Sequence, residues 1–207
     1  LLIMILKEYY SHLNGHEWIS HHHPDLWKEI KDVIESVDAL NAKTKISEEK
    51  TKEGVALYDP GSINKLFKKE FNFRGWHSPI RNSFIYTANQ EYLKKIINLD
   101  IADQKKLLDD NGIEYKSGSV QSDFKKERVS IEVQFGKYAF VQYDLHTKFV
   151  PQYMDNKIDV GIEIVPMKAM ESQMSSGPTN YERNLHEIFR QGRTSPSVPI
   201  ILIGVEP

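Results

Sequence analysis

Three residues in the second half of the chain have the types and spacing for metal-dependent chemistry. Asp123 is followed nine residues later by Glu132, and Gln134 comes two residues after that. Residues two apart on a strand project from the same face, so Glu132 and Gln134 point together. Asp123 falls where a preceding strand or turn would come alongside. Mg²⁺ needs only one or two carboxylates besides water and a substrate phosphate. The spacing therefore predicts that these side chains converge at one end of a sheet.

Phosphodiester hydrolysis is the chemistry that such a group suits. A bound Mg²⁺ neutralises charge on the phosphate oxygens and lowers the pKa of the attacking water. An acid followed by a Glu-x-Gln sequence is nevertheless common on ordinary sheets, where all these side chains face solvent. Spacing alone favours that simpler interpretation, so the surrounding residues must decide.

Segments throughout the chain resemble one group of nucleases. The site matches the PD-(D/E)XK nuclease pattern, with Gln134 at the position that lysine usually occupies. The run EVQFGKY at 132–138 resembles the catalytic strand of type II restriction endonucleases of the BstYI/BglII group. Other segments resemble that group in the same order: YSHLNG at 10–15, LWKEI at 26–30, KIDVGIEI at 157–164, PMK at 166–168, MSSG at 174–177, RQGR at 190–193 and LIG at 202–204. Several independent motifs in one order favour membership over chance.

The resemblance implies roles for the site residues. Asp123 and Glu132 would bind the metal ion through their carboxylates, together with the backbone carbonyl of Val133. Gln134 would position the attacking water, since its amide can form a hydrogen bond to water but carries no charge. The implied cofactor is Mg²⁺.

The resemblance also implies DNA contacts at five residues. Lys137 would contact a base, Ser175 and Ser176 would make further major-groove contacts, and Arg190 and Arg193 would hold phosphates. Simpler interpretations remain open for each. Lys137 would then be a surface or phosphate-binding lysine, the two serines would belong to a flexible turn, and the arginines would stabilise a helix end through its dipole.

The implied activity is site-specific cleavage of double-stranded DNA. The group's specificity implies a palindrome with central GATC, of the form RGATCY, cut to leave 5′ overhangs. A palindrome presents the same half-site twice, so a homodimer is expected, and a cognate DNA methyltransferase is the expected partner system. Two alternatives stay open: a repair or resolvase-type nuclease of the same fold, and a DNA-binding protein without hydrolytic activity.

Periodicity predicts the elements that would position these residues. Helices are predicted at 24–40, 62–71, 89–97, 101–111, 138–154 and 181–190, with Pro151 kinking or ending the fifth. Strands are predicted at 83–88, 127–135, 158–165 and 199–205. The fold class is α/β (α+β), with a central mixed sheet flanked by helices on both faces. One domain is expected, with a helical part over about residues 1–115 and a catalytic sheet with dimer helices over about residues 116–207.

Composition narrows the class of protein. The chain has 207 residues, of which 40% are hydrophobic and 27% charged, and these values suit one globular domain. It has no cysteine, which excludes disulfides, thiolate zinc sites and cysteine nucleophiles. A net charge of −2 does not exclude DNA binding, because a locally basic cleft suffices. No apolar stretch approaches the roughly 20 residues of a membrane span, and we expect a cytoplasmic protein without a signal peptide, starting at Met4.

Overall fold

The structure is a computed structural model that describes residues 1–48, 50, 53–175 and 177–207. Its strands are β1 (Ile5–His12), β2 (Lys45–Ile46), β3 (Ala56–Leu57), β4 (Ile80–Tyr86), β5 (Lys116–Ser122), β6 (Phe124–Lys126), β7 (Val129–Val133), β8 (Val160–Pro166) and β9 (Ile200–Glu206). Its α-helices are α1 (Gly15–His22), α2 (Pro24–Ser36), α3 (Pro60–Phe73), α4 (Gln90–Ile96), α5 (Ile101–Asp110), α6 (Ala139–Tyr143), α7 (Val150–Met154), α8 (Lys168–Glu171) and α9 (Tyr181–Gln191). A 3₁₀-helix covers Ala39–Ala42, and a π-helix covers Asp144–Phe149.

The central sheet is mixed. In the described part of the chain its strand order is β1-β9-β8-β7-β6. The inner strands β7, β8 and β9 run parallel, whereas β1 and β6 are antiparallel to their neighbours. Parallel strands need crossover connections, and these place helices on both faces of the sheet. The predicted fold class is confirmed.

One face of the sheet packs on helices α2 and α3, and we call it the α2–α3 face. Alternate residues of β7, β8 and β9 point into it, and all are fully or almost fully buried. The helices contribute apolar side chains at helical spacing, among them Ile30, Ile34 and Phe67. This face therefore forms a continuous apolar core.

The opposite face packs on α6, the π-helix, α7 and α9, and we call it the π-helix face. Val141, Leu145 and Phe149 lie four residues apart and pack over the sheet. Phe149 comes so close that a Cβ on Gly161 would meet its ring at 2.6 Å. The absence of a side chain at Gly161 thus lets this helical segment lie directly against β8.

The helix predicted over 138–154 is observed as three consecutive helical segments. A π-helix lies between α6 and α7, and Pro151 falls in the first turn after it. Proline has no N–H and clashes with the carbonyl four residues earlier. Pro151 does not end the helix, because the chain stays helical to Met154, and the regular α-helical pattern changes to a π-helix before the proline.

Other boundaries differ from the predictions. The helix predicted at 24–40 ends at Ser36, because Val37 adopts an extended conformation. The strand predicted at 127–135 is shorter, and a tight turn separates it from β6. The N-terminal part, predicted to be helical, also supplies strand β1 to the central sheet. Exposed residues dominate β1, as suits the edge of a sheet, so its apolar periodicity is weak.

A small unit stands beside the main sheet. Strands β4 and β5 pair with each other, α4 and α5 lie between them in sequence, and the unit has its own apolar cluster around Ile85, Ile96 and Leu108. Gly112 follows the end of α5 with φ +64°, a left-handed conformation that glycine adopts at helix ends. Among the described residues, no helix combines the length and the apolar character needed to cross a bilayer.

Candidate active site

The β6–β7 hairpin brings Asp123 to the catalytic strand predicted from the sequence. Phe124 pairs with Ile131, so Asp123, one residue earlier, lies opposite Glu132. The Asp123 Oδ2 atom accepts a hydrogen bond of 3.0 Å from the backbone N–H of Val133. Asp123, Glu132 and Val133 are therefore in one place, as the spacing predicts.

Glu132 is buried on the π-helix face, and its residue is only 1% exposed. The interpretation of a solvent-facing sheet surface is wrong, because α6, the π-helix and α7 cover these side chains. Burial raises the pKa of Glu132 well above its usual value, and the carboxylates of Asp123 and Asp144 act in the same direction. One carboxylate oxygen, Oε1, is buried without a hydrogen-bond partner among the described residues.

The π-helix supplies an acid and a lysine to the same place. Lys148 Nζ donates to Glu132 Oε2 at 2.8 Å and to Asp144 Oδ1 at 2.7 Å. These two carboxylates raise the pKa of Lys148 and outweigh the opposing effect of its burial. A π-helix closes hydrogen bonds to the fifth residue, so residues four apart stay close to one line. Asp144 and Lys148 consequently face the sheet together.

Strand β8 adds a further buried acid. Glu163 pairs in register with Glu132 on the neighbouring strand, so both side chains project from the same face. It is 0% exposed, and neither carboxylate oxygen has a hydrogen-bond partner among the described residues. Burial raises the pKa of Glu163 well above normal, and the nearby carboxylates of Asp144 and Glu132 add to the effect.

Gln134 is fixed at both ends of its amide. Its Oε1 accepts a hydrogen bond of 2.9 Å from the backbone N–H of Gly136, and its Nε2 donates to Asp144 Oδ2 at 3.4 Å. A side-chain amide carries two N–H groups, so one remains to donate to a water or a ligand. Gln134 lies at the edge of the same acidic group.

The donor set fits a hard divalent cation. Glu132 Oε1 is buried without a partner among the described residues, the carboxylates of Asp123 and Asp144 are close enough to influence Glu132, and oxygen is the ligand atom that Mg²⁺ prefers. In the described part of the chain, no group of three or more acidic or histidine side chains is arranged so that it could hold a metal ion. Mg²⁺ does not need such a group, since it retains several waters and uses one or two carboxylates.

Two of the segments predicted to contact bases lie side by side. Lys137 is exposed, directly after β7, and its backbone forms an antiparallel bridge with Pro178. The N–H of Thr179 donates to the carbonyl of Gly136 at 3.0 Å. The loop that contains Ser175 is thereby held next to Lys137.

The remaining predicted DNA contacts are distributed differently. Ser175 is buried, at 6% exposure, so its hydroxyl would reach a base only after the loop opened. Ser176 lies outside the described residues. Arg190 and Arg193 are exposed at and just beyond the end of α9, and Arg190 is paired with Glu187 at 2.8 Å. The structure does not bring these arginines into the acidic group.

Sequence reasoning missed Asp144, Lys148 and Glu163. A signal for Glu163 was available, because it is the one charged residue in the strand segment GIEIV. Asp144 and Lys148 have the spacing of an ordinary surface ion pair on a helix, so only tertiary packing reveals their burial.

Two solved structures are similar to this chain in fold. A crystal structure of restriction endonuclease BglII complexed with a DNA 16-mer matches 97% of this chain and 78% of its own, with 20% identity and a TM-score of 0.66. The structure of free BglII matches 95% and 77%, with 18% identity and a TM-score of 0.52. The fold is thus that of a restriction endonuclease. The comparison with curated protein sequences finds no significant match.

The sequence profile of the family described as restriction endonuclease BglII/BglIII matches residues 7–205. That match spans nearly the whole chain, so the chain belongs to this family. It is a type II restriction endonuclease.

Proposed function

We propose that the protein is a Mg²⁺-dependent endonuclease that cuts double-stranded DNA at RGATCY sites, around the central GATC, and leaves 5′ overhangs. The observation that carries the proposal is the contact between Asp123 and the backbone of Val133 beside the buried Glu132. These two carboxylates and the Val133 carbonyl are the proposed metal ligands. The relative crystallised with a DNA 16-mer supports DNA as the substrate.

Each proposed catalytic side chain has a distinct task. The metal ion would supply charge neutralisation at the scissile phosphate and an acidified water. Asp123 and Glu132 bind the ion, and the hydrogen bond from Val133 fixes the orientation of Asp123. Gln134, which is fixed at both ends of its amide, uses its remaining N–H to orient the water.

DNA recognition is proposed for the surface beside the catalytic strand. Lys137 contacts a base in the major groove, where a lysine donates to guanine O6 and N7. Ser175 and Ser176 read the outer base pair, and adaptable hydroxyls suit a purine-or-pyrimidine position. Arg190 and Arg193 hold phosphates.

A homodimer would place one site on each DNA strand. Exposed aromatic side chains support an interface on α6 and α9. Tyr138, Phe140 and Phe189 are 50%, 50% and 62% exposed, and a hydrogen bond of 2.6 Å from Gln191 to Gln142 joins the two helices. Aromatic side chains are enriched in protein interfaces, so their exposure on two joined helices supports a dimer through this surface. A cognate methyltransferase in the same cytoplasmic system would protect the host DNA.

Digestion of a sequenced plasmid with Mg²⁺, followed by run-off sequencing of the ends, tests the proposal. Discrete fragments ending in 5′ GATC overhangs are expected, with no cutting in EDTA. The Asp123→Ala variant should still bind a duplex containing the site but should not cut it. Smeared products or cutting restricted to branched DNA would indicate a repair-type nuclease instead, and binding without cutting by the wild type would indicate a non-catalytic DNA-binding protein.

A further inference from the structure

A stripe of three helical residues contacts the segments that carry Gln134, Glu132 and Ser122. Asp144 accepts from Gln134 at 3.4 Å, and Lys148 donates to Glu132 at 2.8 Å. One turn later, Gln152 donates at 2.8 Å to the hydroxyl of Ser122, the residue before Asp123. The lysine stands in the middle of this stripe.

Lys148 is the cation of this acidic group. Its side chain is 14% exposed, whereas those of its partners Glu132 and Asp144 are 2% exposed. Among the described residues, no other lysine or arginine forms an ion pair with Glu132, Asp144 or Glu163. Lys148 is not fully enclosed by protein, because it also lines a cavity of about 260 Å³ between β4, β5 and the π-helix.

Replacing a buried ion pair by apolar residues often leaves stability unchanged or increases it. Burial of Lys148 among carboxylates is therefore poorly explained by stability alone. The nuclease pattern has a lysine at the position of Gln134, and Gln134 carries no charge. Lys148 donates to the Glu132 carboxylate from the π-helix that covers this face of the sheet.

We propose that Lys148 supplies from the π-helix the cation that position 134 lacks, and that it is a positioning residue acting through Glu132 and Asp144. This inference rests on the proposed function of Glu132 as a metal ligand. Lys148 fixes one oxygen of Glu132, and through Asp144 it fixes the amide of Gln134. It thereby determines the orientation of both side chains toward the scissile phosphate.

The proposal predicts that removing the charge of Lys148 has different effects on metal binding and on cleavage. Lys148 and a divalent cation are both attracted to Glu132, and they repel each other. Removing the positive charge of Lys148 therefore leaves the affinity for the ion unchanged or raises it. The same change releases Glu132 and Gln134 from their fixed orientation, so cleavage becomes slower.

The test compares Lys148→Met with Lys148→Arg and with a matched control, Lys126→Met. Lys126 is a partly enclosed lysine that donates to Glu29 at 2.9 Å, with 26% of its side chain exposed, on the α2 side of the sheet. Three quantities are measured: the single-turnover cleavage rate in Mg²⁺, the affinity for Mn²⁺ by calorimetry without DNA, and the midpoint of thermal unfolding.

We expect Lys148→Met to cut on the order of 10²–10³-fold more slowly, the range seen when one oriented catalytic donor is lost. Its Mn²⁺ affinity should be equal to or higher than that of the wild type. Lys148→Arg should recover part of the rate, and Lys126→Met should cut normally. Cleavage by Lys148→Met within about threefold of the wild type would overturn the proposal. So would a loss of Mn²⁺ affinity that parallels the loss of cleavage, or an arginine variant no faster than the methionine variant.

If Lys148→Met does not fold, the double variant Asp144→Asn with Lys148→Met is measured in its place. It removes one positive and one negative charge together, so no unpaired charge is added to the site. Slow cleavage by this folded variant, with Mn²⁺ binding retained, supports the proposal, and normal cleavage overturns it. The Glu132→Ala variant separates the two levels of inference. If it cuts like the wild type, the proposed function of the site fails. If it is inactive while Lys148→Met is active, only the role of Lys148 fails.

Discussion

The two faces of the central sheet are formed by the same strands and both bury apolar side chains, but only the π-helix face also buries a group of acids in the described part of the chain. On the α2–α3 face, β7 presents Val129, Ile131 and Val133 to an apolar core. On the π-helix face, the alternate residues of β7 include Glu132, which lies beside the buried Glu163. Burying apolar surface stabilises the fold, whereas burying a carboxylate costs free energy unless it is well compensated.

The comparison separates stability from chemistry. The α2–α3 face is apolar along these strands, whereas the π-helix face holds, beside its own apolar cluster, a group of buried acids that stability would not select. Changes on the first face should lower the free energy of unfolding and leave cleavage intact. Changes to the buried acids of the second face should slow cleavage and leave the free energy of unfolding unchanged or higher.

Phe67→Ala should have the largest effect on stability. Phe67 is fully buried on α3, and its ring centroid lies 5.8 Å from that of Phe135. Loss of a buried phenylalanine side chain leaves a cavity and costs about 3–5 kcal/mol. Urea unfolding measures this loss, and the fraction that remains folded at low temperature should cut DNA at nearly the normal rate. Loss of cleavage without loss of stability would contradict the division between the faces.

Glu132→Gln should have the opposite effect to Phe67→Ala: cleavage should be slow while stability is retained. Removing one carboxylate from the proposed metal site should slow single-turnover cleavage on the order of 10³-fold, or about 4 kcal/mol in the barrier. The free energy of unfolding in EDTA should be equal or higher, because a buried carboxylate is replaced by a neutral amide. Ile131→Val, the neighbouring residue on the other face, is the matched control. It should lose about 0.5–1.5 kcal/mol of stability and keep its activity.

Gly161→Ala tests whether the close contact between β8 and the π-helix holds the site together. Its Cβ would meet the ring of Phe149 at 2.6 Å, and Phe149 is fully buried and cannot move away. Overpacking of this kind costs about 1–3 kcal/mol, and it should displace the π-helix from Glu132. Cleavage measured well below the unfolding temperature should therefore fall as well.

Gly118→Ala is the control for that variant. Its Cβ would also meet an aromatic ring, at 2.5 Å, but Phe84 is 44% exposed and can rotate into solvent. Stability and cleavage should both remain close to those of the wild type. Equal effects of the two substitutions would contradict the role assigned to the contact between Gly161 and Phe149.

The parts of the molecule that could be predicted are those marked by a pattern within a short stretch of sequence. Strands β7, β8 and β9 were predicted because apolar residues alternate or form an unbroken run. Spacing made Asp123 and Glu132 candidates, and the resemblance of the surrounding segment assigned them as metal ligands. The acidic pair lies together in the structure. Strand β1 was missed, because an edge strand needs few apolar residues.

The other half of the site depends on tertiary packing. Whether Asp144 and Lys148 face solvent or the sheet is decided by the π-helix and by the close approach at Gly161. Neither feature has a local sequence pattern as clear as alternation on a strand. Glu163 was placed correctly on a strand, but its partners come from the neighbouring strand and the π-helix, so its role depended on the sheet register.

Glu163→Gln gives a smaller effect that depends on pH. Because the pKa of Glu163 is raised in the folded protein, the fold holds the proton more tightly than the unfolded chain does. Stability is complete below the ordinary pKa of glutamate, falls as pH rises toward the raised pKa, and stays low above it. Each unit of pKa difference costs about 1.4 kcal/mol.

The glutamine variant should therefore be more stable than the wild type at pH 8 in EDTA, with little or no gain near pH 4. Urea unfolding at both pH values measures the difference. The charged groups that influence this carboxylate are Asp123, Glu132, Asp144 and Lys148. Parallel curves of stability against pH for the two proteins would show that Glu163 does not contribute the expected cost.

Gln134→Glu should have the smallest effect, and we expect it as a change in which metal ion supports cleavage best. The new carboxylate would face Asp144, which now accepts from Gln134 at 3.4 Å, and would add negative charge beside the proposed ion. Mg²⁺ demands near-ideal geometry and loses its waters reluctantly, so the more adaptable Mn²⁺ should be favoured severalfold. The ratio of cleavage rates in Mn²⁺ and Mg²⁺ measures this preference. Gln90→Glu, which adds the same charge to an exposed position on α4, is the control. If both variants keep the wild-type ratio, Gln134 does not act near the ion, and the π-helix face would position the acids without its help.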